Sequence, residues 1–173
     1  MMLPRTPSFR LDGRRALVAG ASSGIGLAAA AALAEAGAQV TLVARRAREL
    51  RAVREAICAA GGVAEDVALD MTNLDATAAM LASTCPFDIL VNAAGLARHS
   101  RSLDTTPADY DAAMDLNLRA AFFLTREVAR GLITSGRPGS VTSRQVVWLF
   151  PEQLWLECVP VLHRLQGRLA AQR

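Results

Sequence analysis

The chain contains no lysine: all 19 of its basic residues are arginine, a bias that GC-rich coding produces and that the many alanines share. No acid–base step can therefore be assigned to an ammonium side chain. Tyrosine is nearly absent as well, Tyr110 being the only one. The 3 cysteines, Cys58, Cys85 and Cys158, lie far apart. Their spacing suits no metal site, and an odd count argues against a disulfide framework, so they read as reduced thiols of a cytosolic protein. The net charge is only +3, too small to argue for nucleic acid or an anionic membrane surface. No long apolar run is present. The stretch from Ile25 to Ala34 has about ten residues, where a bilayer span needs about 20. Residues 1–10 lack the apolar core of a signal peptide. The expectation is a cytoplasmic protein with no nucleic-acid, membrane or metal partner.

Apolar side chains are plentiful, at 52% of 173 residues, which suits one domain with a substantial core. Their spacing alternates between two kinds of element. Arg15–Ala19 is a short apolar run that ends at Gly20 and reads as a buried strand. After a glycine-rich turn, an alanine-rich helix runs to about residue 36, with Gly37 as its stop. Gln39–Ala44 is a second strand. Residues 45–60 have helical spacing, with Leu50, Val53 and Ile57 on one face. A third strand spans 63–69 and stops at Asp70. Thr72 is placed to cap a helix over 73–83. A fourth strand, 87–91, reaches Asn92. Thr106 caps a further helix with Pro107 in its first turn, continuing with a bend to about residue 135, and a fifth strand begins near Ser140. This rhythm predicts a parallel sheet with crossover helices. The loops carrying Gly20, Asp70 and Asn92 then share its C-terminal edge, where doubly wound folds bind ligands.

The first of those loops carries the strongest signal. Gly20 permits a tight turn, Gly24 permits close approach of a phosphate to the backbone, and Gly26 lets the following helix pack near the sheet. The positive end of that helix then faces a pyrophosphate. The segment Ala19-Gly-Ala-Ser-Ser-Gly-Ile-Gly26 resembles the cofactor loop of the short-chain dehydrogenases/reductases. Asp70 stands where that family places the acid that contacts adenine. Asn92-Ala-Ala-Gly95 resembles its Asn-Asn-Ala-Gly segment, and Asp115-Leu-Asn117-Leu its helix bearing a catalytic asparagine. The resemblance covers residues 9 to 141. Ala19 and Ala93 depart from the pattern, each removing a side chain that braces its loop.

The resemblance implies an α/β, Rossmann-like, doubly wound parallel sheet that is incomplete, with about five of seven strands. It also implies an NAD(P)-dependent oxidoreductase acting on a small alcohol or carbonyl substrate. Cofactor contacts would come from Gly20, Ser22, Ser23, Gly24, Ile25, Gly26, Asp70, Met71, Asn92, Ala93, Ala94 and Gly95. Asn117 would hold a water in the proton relay. The helical surface from Asp104 to Ser135 is one the family uses for association, so self-association or a homo-oligomer is expected. Cofactor choice follows from the end of the second strand, Val43-Ala44-Arg45-Arg46. No acid stands there to hold a ribose 2′-hydroxyl, and two guanidiniums can hold a 2′-phosphate. The expectation is NADP(H) in preference to NAD(H). His99 is read as a surface-loop residue, and His163 has no assigned role.

The resemblance stops where proton transfer should begin. The family uses a tyrosine whose pKa a nearby lysine lowers, as Tyr-x-x-x-Lys after the fifth strand. Here Tyr110 lies upstream of Asn117, and lysine is absent. Gly139-Ser-Val141 begins like the family's serine segment but continues Thr142-Ser143-Arg144-Gln145; with two residues lost, Arg144 would occupy the catalytic serine position, beside Ser143. Both tryptophans, Trp148 and Trp155, and every glutamine but Gln39 lie beyond Val141. The expected division is a dinucleotide-binding domain over 1–143 and a departing tail over 144–173. A reading-frame shift near codon 141 and a divergent, shortened member both account for that tail, and the abrupt change in composition favours the first. A non-catalytic dinucleotide-binding fragment, or a subunit that partners a complete homologue, is the alternative to an enzyme.

Overall fold

Side chains on successive strand residues point to opposite faces, and in β1 (Arg15–Ala19) both faces are buried. A computed structural model describes residues 8–84, 86–97 and 101–143. Ala16 and Val18 face a cluster with Val40 and Leu42, closed by Ala30, Ala34, Leu50, Val53 and Ile57 from two helices. Leu17 and Ala19 face a second cluster with Val43 and Leu90, closed by Leu124, Val128 and Leu132 from another helix. A strand covered on both sides needs a continuous apolar run rather than an alternating one, and Ala-Leu-Val-Ala meets that need.

The elements are β1, α1 (Gly24–Glu35), β2 (Gln39–Ala44), α2 (Ala47–Ala59), β3 (Val63–Ala68), α3 (Leu74–Ala82), β4 (Ile89–Asn92), α4 (Pro107–Met114), α5 (Ala121–Ser135) and β5 (Ser140–Ser143). All strand pairs are parallel, in the order β3-β2-β1-β4-β5. This is the doubly wound order, reversing direction beside β1. The register aligns the C-terminal strand ends: Ala19 pairs with Val43 and with Asn92. Asn92 pairs in turn with Ser143. The fold is the expected incomplete Rossmann-like sheet.

Two local expectations are corrected, and a third gains detail. The cap of α3 is Asn73, whose side chain accepts the Ala76 amide at 3.0 Å; Thr72 instead turns back onto Asp70. The fourth strand starts at Ile89 rather than at residue 87, although the Asp88 amide and carbonyl already bond to Arg15 and Ser140 on either side. The bend expected in the long helix is a π-helical segment over Asp115–Ala120, between α4 and α5. The tail 144–173, His99 and Cys85 lie outside the described residues; Cys58 is exposed with a free thiol.

Asp88 ties together the edge of the sheet remote from the loops. Its carboxylate, 2% exposed, accepts the Arg15 amide at 2.9 Å and the Arg137 guanidinium at 2.7 and 2.9 Å. Arg14 approaches it at 3.4 Å. Its carbonyl accepts the Ser140 amide at 2.8 Å. One residue thus joins β1, β4 and the entry to β5. Asp88→Ala is expected to lower unfolding stability by about 1.5–3 kcal/mol, the range for hydrogen bonds to a charged group. Both arginines are partly exposed and can rehydrate, so the larger loss of a fully buried pair is not expected. Urea denaturation checks this, and an unchanged midpoint would show that Asp88 does not hold the edge together.

Candidate functional site

The glycine-rich loop is held by main chain on two sides. The amides of Gly20 and Ala21 both reach the Val43 carbonyl, at 2.8 and 3.3 Å, so the loop leans over the end of β2. On the other side the Ala93 amide donates to the Ala19 carbonyl at 2.9 Å. The Asn92 side-chain oxygen accepts the Ala94 amide at 3.2 Å. Asn92 is buried. These bonds pin the Asn92–Gly95 segment even though Ala93 brings no side-chain brace.

Each glycine of the loop has a separate reason. A Cβ on Gly20 would lie 2.6 Å from the Ala94 nitrogen and 2.7 Å from the Ala93 carbonyl carbon. A Cβ on Gly26 would collide with the Gly20 carbonyl. Both positions are therefore glycine because main chain already occupies the side-chain volume. At Gly24, with φ +58°, a Cβ would meet nothing within 4 Å. The space is open, and the backbone is left bare toward solvent at the start of α1.

That helix start is prepared for an anion. Its first turn holds no acidic residue, and Ser23, at the N-cap position, makes no side-chain cap bond. The first-turn amides therefore retain their positive character. The Ser23 hydroxyl is used elsewhere. Arg46 donates from Nη2 to Ser22 Oγ at 2.9 Å and to Ser23 Oγ at 2.6 Å. Ile25, next in the turn, is half exposed.

The two arginines at the end of β2 act on different groups. Arg46 lies across the glycine loop, while Arg45 contributes to the electrostatics of Asp70. The Asp70 carboxyl is held below its ordinary range, first by the Thr72 amide, then by the Thr72 hydroxyl and the charge of Arg45, with partial burial opposing. Both Thr72 donors reach Oδ1, at 3.0 and 2.8 Å. Met71 is packed in the second core cluster, so its side chain supports the rim rather than presenting a group.

Asn117 is buried, 6% exposed, in the π-helical segment. Its Oδ1 accepts the Leu96 amide and its Nδ2 donates to the Leu96 carbonyl, both at 2.8 Å. The amide matches a peptide unit on both sides and fixes the chain just after Gly95. Sequence spacing singled out Asn117 but did not reveal this partner. Tyr110, on α4, is about two turns upstream and partly exposed. Among the described residues no group of 3 or more His, Cys, Asp or Glu could hold a metal. Among them also, no helix is long and apolar enough to cross a membrane.

Comparison with known proteins agrees with this geometry. The chain is 40% identical over 138 residues to D-erythrulose reductase of Gallus gallus, covering 79% of this chain and 54% of that protein. It is 42% identical over 136 residues to L-xylulose reductase of Bos taurus, covering 78% and 54%. It thus spans about half the length of these relatives. A metagenomic short-chain oxidoreductase solved in complex with NADP superposes with a TM-score of 0.72 at 40% identity, over 77% of this chain and 62% of that one. The family model for short chain dehydrogenases matches residues 14–144, the stretch that contains the five strands found among the described residues and the bare helix start, and the chain belongs to that family.

Proposed function

We propose that the chain binds NADP(H) in preference to NAD(H) across the C-terminal edge of its sheet. In this reading it is the cofactor-binding half of an oxidoreductase that moves hydride between nicotinamide and an alcohol or carbonyl compound. The observation that carries the reading is the pairing of an uncapped, acid-free helix start with a guanidinium held over it. The residues fit a dinucleotide phosphate. The α1 amides and the open backbone at Gly24 suit the pyrophosphate. Arg46, with Arg45 beside it, suits a 2′-phosphate. Asp70 and the Asn92–Gly95 segment flank the adenosine and inner portions. The bound nicotinamide supplies the hydride chemistry.

Within that reading Asn117 is a positioning residue that sets the Leu96 main chain at the substrate end. The relatives named for erythrulose and xylulose support a small polyhydroxylated carbonyl compound as the substrate class. Self-association is supported by exposed Leu118, Phe122 and Ile133, which follow one another on the outer face of the α4–α5 region. The 173-residue chain holds neither a lysine nor a tyrosine downstream of Asn117. A dinucleotide-binding chain without turnover of its own is therefore the second reading.

Two measurements check these proposals. In a calorimetric titration NADP+ should bind tighter than NAD+, and Gly24→Val should abolish binding of both. The branched side chain would block the phosphate, and its strain at positive φ should cost only about 1–2 kcal/mol of stability, leaving the circular dichroism spectrum near that of the parent. Unchanged affinity in Gly24→Val would remove the loop from the binding site. In a nicotinamide absorbance assay with a ketose, aldehyde and secondary-alcohol panel, the isolated chain should give no turnover. Loss of acid–base catalysis alone is worth about 10²–10⁴-fold. Turnover that survives removal of host reductases would show that another group transfers the proton.

A further inference from the structure

The two faces of β4 are covered unequally. Leu90 is fully buried on the α5 side, whereas Ile89 and Val91, on the α1 side, are only partly buried. Their ladder partners on β5, Ser140 and Thr142, are exposed. A parallel sheet ordinarily has both faces covered. The adjoining flank of α1 is apolar too. With 3.6 residues per turn, Ala29, Ala32 and Leu33 fall on one side of that helix. The right-handed β1-α1-β2 crossover turns this side toward β4 and the opposite side toward α2, where Ala34 adjoins Gly62. Ala32 lines an open groove with Phe9, which is 87% exposed. The edge of the sheet here is also undefended. β3, at the other edge, carries Glu65 and Asp66, paired with Arg15 and Arg54. β5 reads Ser-Val-Thr-Ser and has no charged side chain to discourage a neighbour.

We propose that this patch is a docking surface for the chain's own segment from Val146 to Leu162, which covers β4 and β5 on the α1 side. The chain leaves β5 at Ser143 and continues through residues 144–173, so the occupant is attached at the border of the patch. From β5 to β1 is about 10 Å, two strand spacings, and about three extended residues span it. In the segment, Glu152 and Glu157 are the only charged side chains, among Val146-Val-Trp-Leu-Phe150, Leu154-Trp-Leu156 and Val159 to Leu162. A run of that composition is driven out of water, as is the patch. Tethering gives the segment a high effective concentration at the patch, ahead of a second copy of the chain, which an uncovered patch would otherwise attract. The proposal is independent of the dinucleotide reading. It is independent of the origin of the tail too, because burial depends on the side chains present.

Tryptophan fluorescence of the full 173-residue chain tests this, because Trp148 and Trp155 are its only tryptophans and both belong to the segment. Emission should lie to the blue of free N-acetyltryptophanamide and be quenched less by acrylamide, unchanged through a dilution series. Ala32→Arg places a charge in the groove at an exposed helix position, so the sheet should keep its circular dichroism spectrum. In that variant emission should shift toward the free amide and quenching should rise. Ala28→Arg, exposed on the side of α1 away from the sheet, should leave both readings at the parent's values. Parent emission that coincides with the free amide would overturn the proposal. Shielding that survives Ala32→Arg would also overturn it, by placing the segment elsewhere. Shielding lost on dilution would assign the cover to a second copy, and an equal shift in Ala28→Arg would reduce the effect to general loosening of α1; either result contradicts the proposal.

Discussion

Three stretches of main chain meet above the end of β1 with no room for a methyl group. The Gly20 carbonyl occupies the place of a side chain on Gly26, and the Ala93–Ala94 backbone occupies the place of one on Gly20. This contact sets how close α1 and the β4 loop can come to the sheet. Everything at the site is measured from it. The helix start lies directly over the strand ends, Asn92 lies beside Ala19, and Arg46 reaches Ser22 and Ser23 across the gap between β1 and β2. An alanine at either glycine would push the layers apart and carry the uncapped amides of α1 away from the Arg46 guanidinium.

The two ends of the sheet carry different kinds of polar group. At the edge remote from the loops, Asp88 gathers the Arg15 amide and two arginines and is buried with its charge compensated. At the C-terminal edge the polar groups are oriented but less compensated: uncapped amides, a guanidinium on hydroxyls, and Asp70 kept ionised by Thr72 and Arg45. A compensated group stabilises the fold. An uncompensated one is available to a ligand, and this division sets the proposed site apart from the Asp88 edge.

Much of this was legible from residue order, because periodicity and glycine spacing are local signals. Val18 and Leu42 announce buried strands, Leu50, Val53 and Ile57 announce a helix face, and the strand rhythm gives a parallel sheet. The long-range pairings were not legible. Asp88 read as an ordinary strand residue, and the arginine partners of its carboxylate, Arg14 and Arg137, lie far away in the chain. Thr72 and Asn73 are both competent caps, and only the turn of Thr72 onto Asp70 decides between them. Gly20 announced a tight turn, but its steric neighbour is about seventy residues away. Arg45 and Arg46 looked equivalent, and the structure separates them: Arg46 is hydrogen-bonded to Ser22 and Ser23 over the loop, while Arg45 adds only its charge to the surroundings of Asp70. For Asn117 spacing singled out the residue, while its Leu96 partner needed the fold.

The central claim is that the C-terminal edge, organised around Gly20 and Gly26, holds a dinucleotide phosphate. Amide hydrogen exchange of the full chain with and without saturating NADP+ tests it most directly, because it reports position as well as binding. The account predicts slowed exchange confined to the loop and helix start at residues 20–27, the β2 end at 43–46 and the segment 92–96. Unchanged exchange there, or protection centred on the Asp88 edge instead, would contradict it.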